Sequence, residues 1–156
     1  MNEMYIMRGL PGSGKSTRAK ALGHVGRIIS ADDYFMTPEG EYRFDALKLP
    51  YAHGRCFSEA IGYLGSIAKY NGDLVIDNTN TRNIEIAPYM LLAQAHGWTA
   101  KIIAIYPLWA IDCIKRNKHG VSVDQGLRML ATYAAELQQT PPWWTQILVE
   151  PAMEAL

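Results

Sequence analysis

The sequence is poor in cysteine, in net charge and in long apolar runs, and each shortage removes a class of protein. Two cysteines, Cys56 and Cys113, occur in 156 residues. They lie far apart in no metal-ligand spacing, and read as buried thiols of a reducing compartment rather than a disulfide or metal pair. The 15 basic and 15 acidic side chains cancel, so the chain lacks the broad positive field of a protein that coats long nucleic acid, and any such contact has to be local. The longest stretch free of Asp, Glu, Lys and Arg, Ile86 to Ala100, is broken by Pro88, Gln94, His96 and Gly97. It falls short of the roughly 20 apolar residues of a membrane span. Met1 to Arg8 runs straight into a glycine-rich loop, leaving no room for a signal peptide. The expected compartment is the cytoplasm, without a membrane contact, and nothing points to a particular protein partner.

What is present is a hydrophobic content of 49%, enough for one compact core, so residues 1–156 are expected to form one domain. Short apolar runs alternate with longer helical patterns, the signature of an α/β fold. Expected strands are Met4 to Met7, Arg27 to Ser30, Leu74 to Ile76, Lys101 to Tyr106 and Ile147 to Val149. Expected helices are Lys15 to Leu22; Asp45 to Tyr70, started or broken by Pro50 and ended by Gly72; Ile84 to His96, with Pro88 in its first turn or kinking it; and Leu108 to Arg116. Ser122 and Gln125 read as a capping box opening a last helix whose stripe of Leu127, Leu130, Ala134 and Leu137 faces the core. Pro141 and Pro142 end it, and Trp143 and Trp144 are expected to anchor the tail.

The segment Gly9-Leu10-Pro11-Gly12-Ser13-Gly14-Lys15-Ser16-Thr17 fits G-x-x-x-x-G-K-[ST] between a strand and a helix, the setting of a phosphate-binding loop. Glycines let backbone N–H groups turn inward around phosphate oxygens. Gly12, Ser13 and Gly14 form that cradle, Lys15 reaches the terminal phosphates of ATP, Ser16 is placed to ligate Mg²⁺, and Thr17 contacts the inner phosphate.

Phosphoryl transfer also needs a group to take the acceptor's proton, a metal-side acid and a cation for the charge on the transferred group. Ser30-Ala31-Asp32-Asp33-Tyr34 puts two carboxylates at a strand's carboxyl end, where α/β sheets bind ligands. Either acid could cap the following turn; we read Asp32 as the catalytic base and Asp33 as the cap. Asp77, in Ile76-Asp77-Asn78-Thr79-Asn80, has the form of a strand-end Mg²⁺ acid, with a plain asparagine-rich turn as the alternative. The basic run Lys115-Arg116-Asn117-Lys118-His119-Gly120 precedes a capped helix. Such runs are commonly solvated faces, but a lid needs a cation, and Arg116 is the first candidate.

Taken in order, GLPGSGKST, DDY, DNTN and RNKHG resemble the polynucleotide 5′-hydroxyl kinase branch of P-loop kinases, from Met4 to about Leu137. The resemblance implies a five-stranded, mostly parallel sheet with helices on both faces and a helical lid at about 113–124. By the same resemblance Lys15 and Ser16 hold ATP phosphates and Mg²⁺, Asp32 is the general base, and Arg116, with His119, belongs to the nucleotide-binding lid. Phage enzymes of this branch carry an arginine directly after DDY where this chain has Phe35, and a second lid arginine where it offers Lys118 or His119. The segment Gly40-Glu41-Tyr42-Arg43-Phe44-Asp45, with His53 beyond it, also resembles small members of the branch, without an assigned chemical role. The implied activity is ATP-dependent phosphorylation of a nucleic-acid 5′ end, DNA or RNA. Two other readings are kept: a kinase of a small acceptor such as a nucleoside, sugar or nucleotide-sugar, and an ATP-binding switch without transfer activity.

Overall fold

Period-two alternation decides which way each strand residue points, and here both faces of the sheet are apolar. In β1 (Glu3–Arg8), β3 (Asp73–Ile76) and β4 (Thr99–Ile105), one face carries Met4, Ile6, Leu74, Ile76, Ile102 and Ala104 and the other carries Met7, Val75 and Ile103. Helices therefore cover both sides. The computed structural model describes residues 2–22, 25–66 and 71–151. Together with β2 (Val25–Ile29) and β5 (Gln146–Val149), the strands form one five-stranded sheet in the order β2-β3-β1-β4-β5. Every pairing in it is parallel. All carboxyl ends thus meet at one edge.

The helices follow from sequence period and from their starts. α1 (Lys15–Lys20) places Ala19 on the Met7 face. α2 (Leu49–Gly65), with Pro50 in its first turn, buries Ala52, Cys56, Ala60, Tyr63 and Leu64, a spacing that returns to one helical face. It is preceded by a separate short 3-10 turn, Ala46–Lys48, on Asp45 as its cap, so the helix opens at Pro50 rather than at Asp45. The expected continuation to Tyr70 lies outside the described residues beyond Ser66. α3 (Asn83–Ala95) buries Ile86, Tyr89 and Ala93. Pro88 lies inside α3 rather than in its first turn, on the exposed side.

α4 (Ala110–Arg116) starts two residues later than expected, because Trp109 adopts a left-handed conformation, φ 58°. α5 (Val123–Gln138) is capped by the Ser122 hydroxyl, which accepts from the Gln125 amide. The apolar stripe read on α5 is corrected: Leu127 and Ala134 are exposed, and the buried residues are Gly126 and Tyr133. Gly126 packs on Ile114 of α4, the Tyr133 hydroxyl reaches the Ile105 carbonyl, and Leu137 of the expected stripe does meet the core. Of the two tryptophans, Trp144 packs against the core while Trp143 is exposed. Among the described residues no helix is long and apolar enough to cross a membrane.

Arg8 ends β1 and is fully buried. Its guanidinium donates to Thr140 Oγ1 at 2.9 Å, Gln146 Oε1 at 3.1 Å and the Thr81 carbonyl at 3.2 Å. It also lies over the Tyr133 ring, whose hydroxyl donates to the Ile105 carbonyl.

Two glycines test the account of α2. Gly54 and Gly62 lie in the helix with open space where a Cβ would stand. Each of Gly54→Ala and Gly62→Ala should raise stability by about 0.5–1 kcal/mol, since alanine removes backbone freedom from the unfolded chain. The check is the urea midpoint at unchanged slope; a lowered midpoint would show that this face is not free.

Candidate active site

Because the sheet is parallel, the loops after β1, β2 and β3 and the loop after α4 converge on one cleft of about 330 Å³. Its walls include Gly12, Gly14, Lys15, Ser16 and Thr17 from the first loop, Asp32 after β2, Asp77 after β3, and Arg116, Lys118 and His119 from the region following β4. Ser13, also expected there, is buried behind the loop, its hydroxyl lacking a partner.

The first loop winds through left-handed turns at Gly12, φ 75°, and Gly14, φ 86°, which turn successive amides inward. A Cβ at Gly12 would stand 1.9 Å from the Cys113 carbonyl oxygen, so α4 rests directly on the loop. The Lys15 ammonium is buried and donates to the Leu10 carbonyl at 2.8 Å. Burial pulls its pKa down to about 8, against the charges of Asp77 and Asp32, which favour protonation. Asp77 shows the complementary effect: burial raises its pKa, opposed by the Ser16 hydroxyl and by Lys15.

Asp77 Oδ1 is buried without a hydrogen-bond partner, beside the Ser16 hydroxyl that contacts the same carboxylate. An orphaned carboxylate oxygen next to a serine hydroxyl is a hard, oxygen-only donor set suited to Mg²⁺. The described residues contain no cluster of three or more His, Cys, Asp or Glu able to hold a metal alone, so phosphate and water would complete the shell. The two asparagines beside Asp77 are structural. Asn78 Oδ1 accepts from the Ala31 amide at 2.8 Å, and Asn80, φ 45°, donates to the Met7 carbonyl at 2.8 Å. They tie the loop after β3 to β1 and to the Asp32 turn.

Asp32 sits in a 3-10 turn, Ala31–Phe35, whose cap is Ser30, its hydroxyl accepting from the Asp32 amide. The capping role read for Asp33 therefore falls to Ser30, and Asp33 is exposed. Asp32 Oδ1 accepts from the Tyr42 hydroxyl at 3.0 Å, and Oδ2 lies 3.4 Å from His119 Nε2. Burial and the nearby Asp32 carboxylate keep the Tyr42 phenol protonated, its pKa displaced upward. His119 reaches Asp32 because Asn117 folds the loop after α4, its Oδ1 accepting from the His119 and Val121 amides and its Nδ2 donating to the Val121 carbonyl. Arg116 touches Cys113 Sγ at 3.5 Å and leaves its Nε unpaired. Tyr42, Phe44, Leu49 and His53 complete the cleft. The sequence marked Tyr42, Phe44 and His53 only as part of a resemblance without an assigned chemical role, and carried no signal for Leu49.

This sheet order, loop and strand-end acids define a P-loop kinase-type fold. The chain belongs to the AAA domain family AAA_33, which matches residues 4–139. It is 36% identical over 136 residues to human NEDD4-binding protein 2, covering 83% of this chain and 8% of that protein. Mouse 2′,3′-cyclic-nucleotide 3′-phosphodiesterase is 28% identical over 128 residues, which cover 78% of this chain and 29% of that enzyme. The chain thus spans a small part of these curated relatives. Among solved structures, a chain of the Pnkp1/Rnl/Hen1 RNA repair complex is similar with a TM-score of 0.70 and 14% identity, over 90% of this chain and 46% of that one. The APS kinase of Mycobacterium tuberculosis, in complex with AMPPNP and APS, is similar with a TM-score of 0.55 and 18% identity, over 98% and 90% of the two chains.

Two substitutions read the loop without any ligand. The fold depresses the Lys15 pKa, so holding the charged form costs stability below about pH 8, and wild-type stability should rise between about pH 8 and the unfolded value near 10.4. Lys15→Met should therefore melt a few degrees higher than wild type at pH 7, the gap closing across that window; a gap independent of pH would remove burial of the charge as its cause. Gly12→Ala should cost about 1–3 kcal/mol, because the Cβ meets backbone and the turn is left-handed. An unchanged urea midpoint would mean that α4 does not rest on the loop.

Proposed function

We propose that this chain is an ATP-dependent kinase that transfers the γ-phosphoryl group to a hydroxyl acceptor, and that the acceptor is the 5′-hydroxyl of a DNA or RNA end. The observation that carries the reading is that a phosphate-loop lysine and a partly exposed strand-end carboxylate face the same cleft, near enough for the charge of Asp32 to act on Lys15. A binding switch has no need of that acid. The similarity to a chain of an RNA repair complex and the order of the four motifs favour a nucleic-acid end.

In this reading the amides of Gly12, Ser13 and Gly14, with Thr17, hold the phosphate chain. Lys15 leaves the Leu10 carbonyl to bind the terminal phosphates, regaining a full charge as it pairs with anions. Ser16 and Asp77 would hold Mg²⁺, which would offset the negative charge of the phosphates. Asp32 accepts the acceptor's proton as its oxygen bonds to the γ-phosphorus and the bond to the β-phosphate oxygen breaks, releasing ADP. Arg116, its Nε unpaired, supplies cationic charge to the transferred group, and residues 113–124 act as its lid. The whole chain works as one domain in the cytoplasm, where Cys56 and Cys113, both free, stay reduced.

One observation favours a small acceptor such as a nucleoside or sugar. Phe35, where an arginine would grip a strand, is buried among aromatic rings. Transfer from γ-labelled ATP to 5′-hydroxyl DNA, 5′-hydroxyl RNA, nucleosides and sugars decides between them, and labelling of sugars alone would refute the nucleic-acid acceptor.

Asp32→Asn should lower kcat by about 10² to 10⁴ with nucleotide affinity and melting temperature nearly unchanged. Asp33→Asn should leave kcat close to wild type; equal losses at both positions would contradict the assignment. Arg116→Ala should cost on the order of 10³ in kcat, with little recovered by lysine, whose point charge lacks the planar fork.

A further inference from the structure

The segment between the Asp32 turn and α2 has no role in the steps above, yet it forms a wall of the cleft. It folds as a small hairpin: Met36 and Tyr42 form an antiparallel bridge, the Thr37 amide donates to the Glu41 carbonyl and the Arg43 amide to the Phe35 carbonyl, both at 2.8 Å. Phe35 is buried beneath it, its ring 5.0 Å from that of Phe44 and 6.1 Å from that of Tyr42. The Tyr42 and Phe44 rings are nearly parallel, at 11° with centroids 6.5 Å apart. Tyr42 is fixed by its bond to Asp32 and by the His119 ring at 4.7 Å. Phe44, by contrast, is 48% exposed while lining the cleft.

Charge on this wall differs from that of the phosphate loop and of the region after α4. Lys15, Arg116 and Lys118 all line the cleft from the phosphate loop and the lid region. The hairpin's own cation, Arg43, pairs with Glu41 at 2.6 Å and is not among the lining residues. A phosphate would find no free guanidinium here, whereas a flat ring would find a supported, half-open aromatic surface beside the carboxylate.

We propose, resting on the kinase reading, that Phe44, backed by Phe35 and aligned with Tyr42, is a stacking platform for the nucleobase of the acceptor's terminal nucleoside. Stacking holds the base while the adjoining 5′-hydroxyl lies toward Asp32. Acceptor recognition then comes from the ring rather than from a phosphate clamp, and Phe35 serves as the platform's foundation. Base–aromatic stacking tolerates any base, so the site selects a nucleoside end without selecting its sequence.

The test is equilibrium binding by fluorescence anisotropy, with MgADP present, of a 3′-labelled 5′-hydroxyl hexanucleotide. A matched strand carries a tetrahydrofuran abasic residue at its 5′ end. Wild type should bind the intact strand about 10- to 100-fold more tightly than the abasic one, the scale of one stacked base. Phe44→Ala should lose that difference and bind both strands at the abasic level; Phe44→Trp should restore it and Phe44→Leu should not. Competition by free nucleosides supplies a further arm: displacement comparable with an unlabelled hexamer points to a monomeric acceptor, and selective displacement by the hexamer to a nucleic-acid end. Equal binding of intact and abasic strands by wild type, or a base preference that survives Phe44→Ala, overturns the platform. Transfer from labelled ATP is measured in parallel. Base-dependent binding without transfer to any acceptor would sink the kinase reading and keep the platform, whereas transfer without base dependence would sink the platform alone.

Discussion

Parallel pairing of β3 with both β1 and β2 is the constraint on which the site depends. Ile76 is level with Ile6 on one side and with Ile29 on the other, so β2 and β3 end level while β1 runs two residues further, to Arg8. The loops that leave them carry Lys15, Asp32 and Asp77 onto one edge. A slip of one residue in either register would send an apolar face toward the wrong helices, and it would also separate the acids from the lysine. The amides and carbonyls at that edge are then fastened by Asn78 and Asn80, short side chains that bridge backbone groups the ladder no longer pairs.

The site built on this frame runs against stability. A buried lysine with a depressed pKa, a buried carboxylate with an unpaired oxygen, and a serine hydroxyl without a partner cluster within one loop system. Each would be better satisfied by water or by an apolar replacement. Together they form a set of donors, a cation and an acceptor of the chemistry that suits an anion and a hard metal ion. The loop after α4 differs: Asn117 pairs with its backbone internally, and Lys118 and His119 of that loop line the cleft.

Much of the fold was legible because its signals are local. Short apolar runs bounded by turn residues located every strand to within two residues at each end, and the glycine-lysine spacing located the loop. Signals that depend on tertiary placement were not legible. α5 shows an apolar stripe, yet Leu127 and Ala134 are exposed while Leu137 meets the core, and helical period cannot tell a neighbour from solvent. Trp143 and Trp144 are identical in sequence terms, and only one meets the core. At the site, strand-end position pointed to Asp32 and Asp77, but their partners did not follow from spacing. Tyr42 reaches Asp32 through a hairpin with one bridge, and His119 reaches it from 87 positions further along the chain, distances over which no periodicity speaks.

Arg8 gives the chain a temporal order. It stands next to the phosphate loop in sequence, but its hydrogen-bond partners are Thr81, Thr140 and Gln146. The loop motif is synthesised before all three of these groups, and Thr140 and Gln146 follow Arg8 by 132 and 138 positions. Until β5 joins the sheet, that cation has chiefly water to bond, and burying it at the end of β1 is unfavourable. Closure of the central strand around its arginine is thereby coupled to docking of β5. A motif that reads as nine consecutive residues thus has a neighbour whose hydrogen bonds are complete only when β1 and β5 share one sheet.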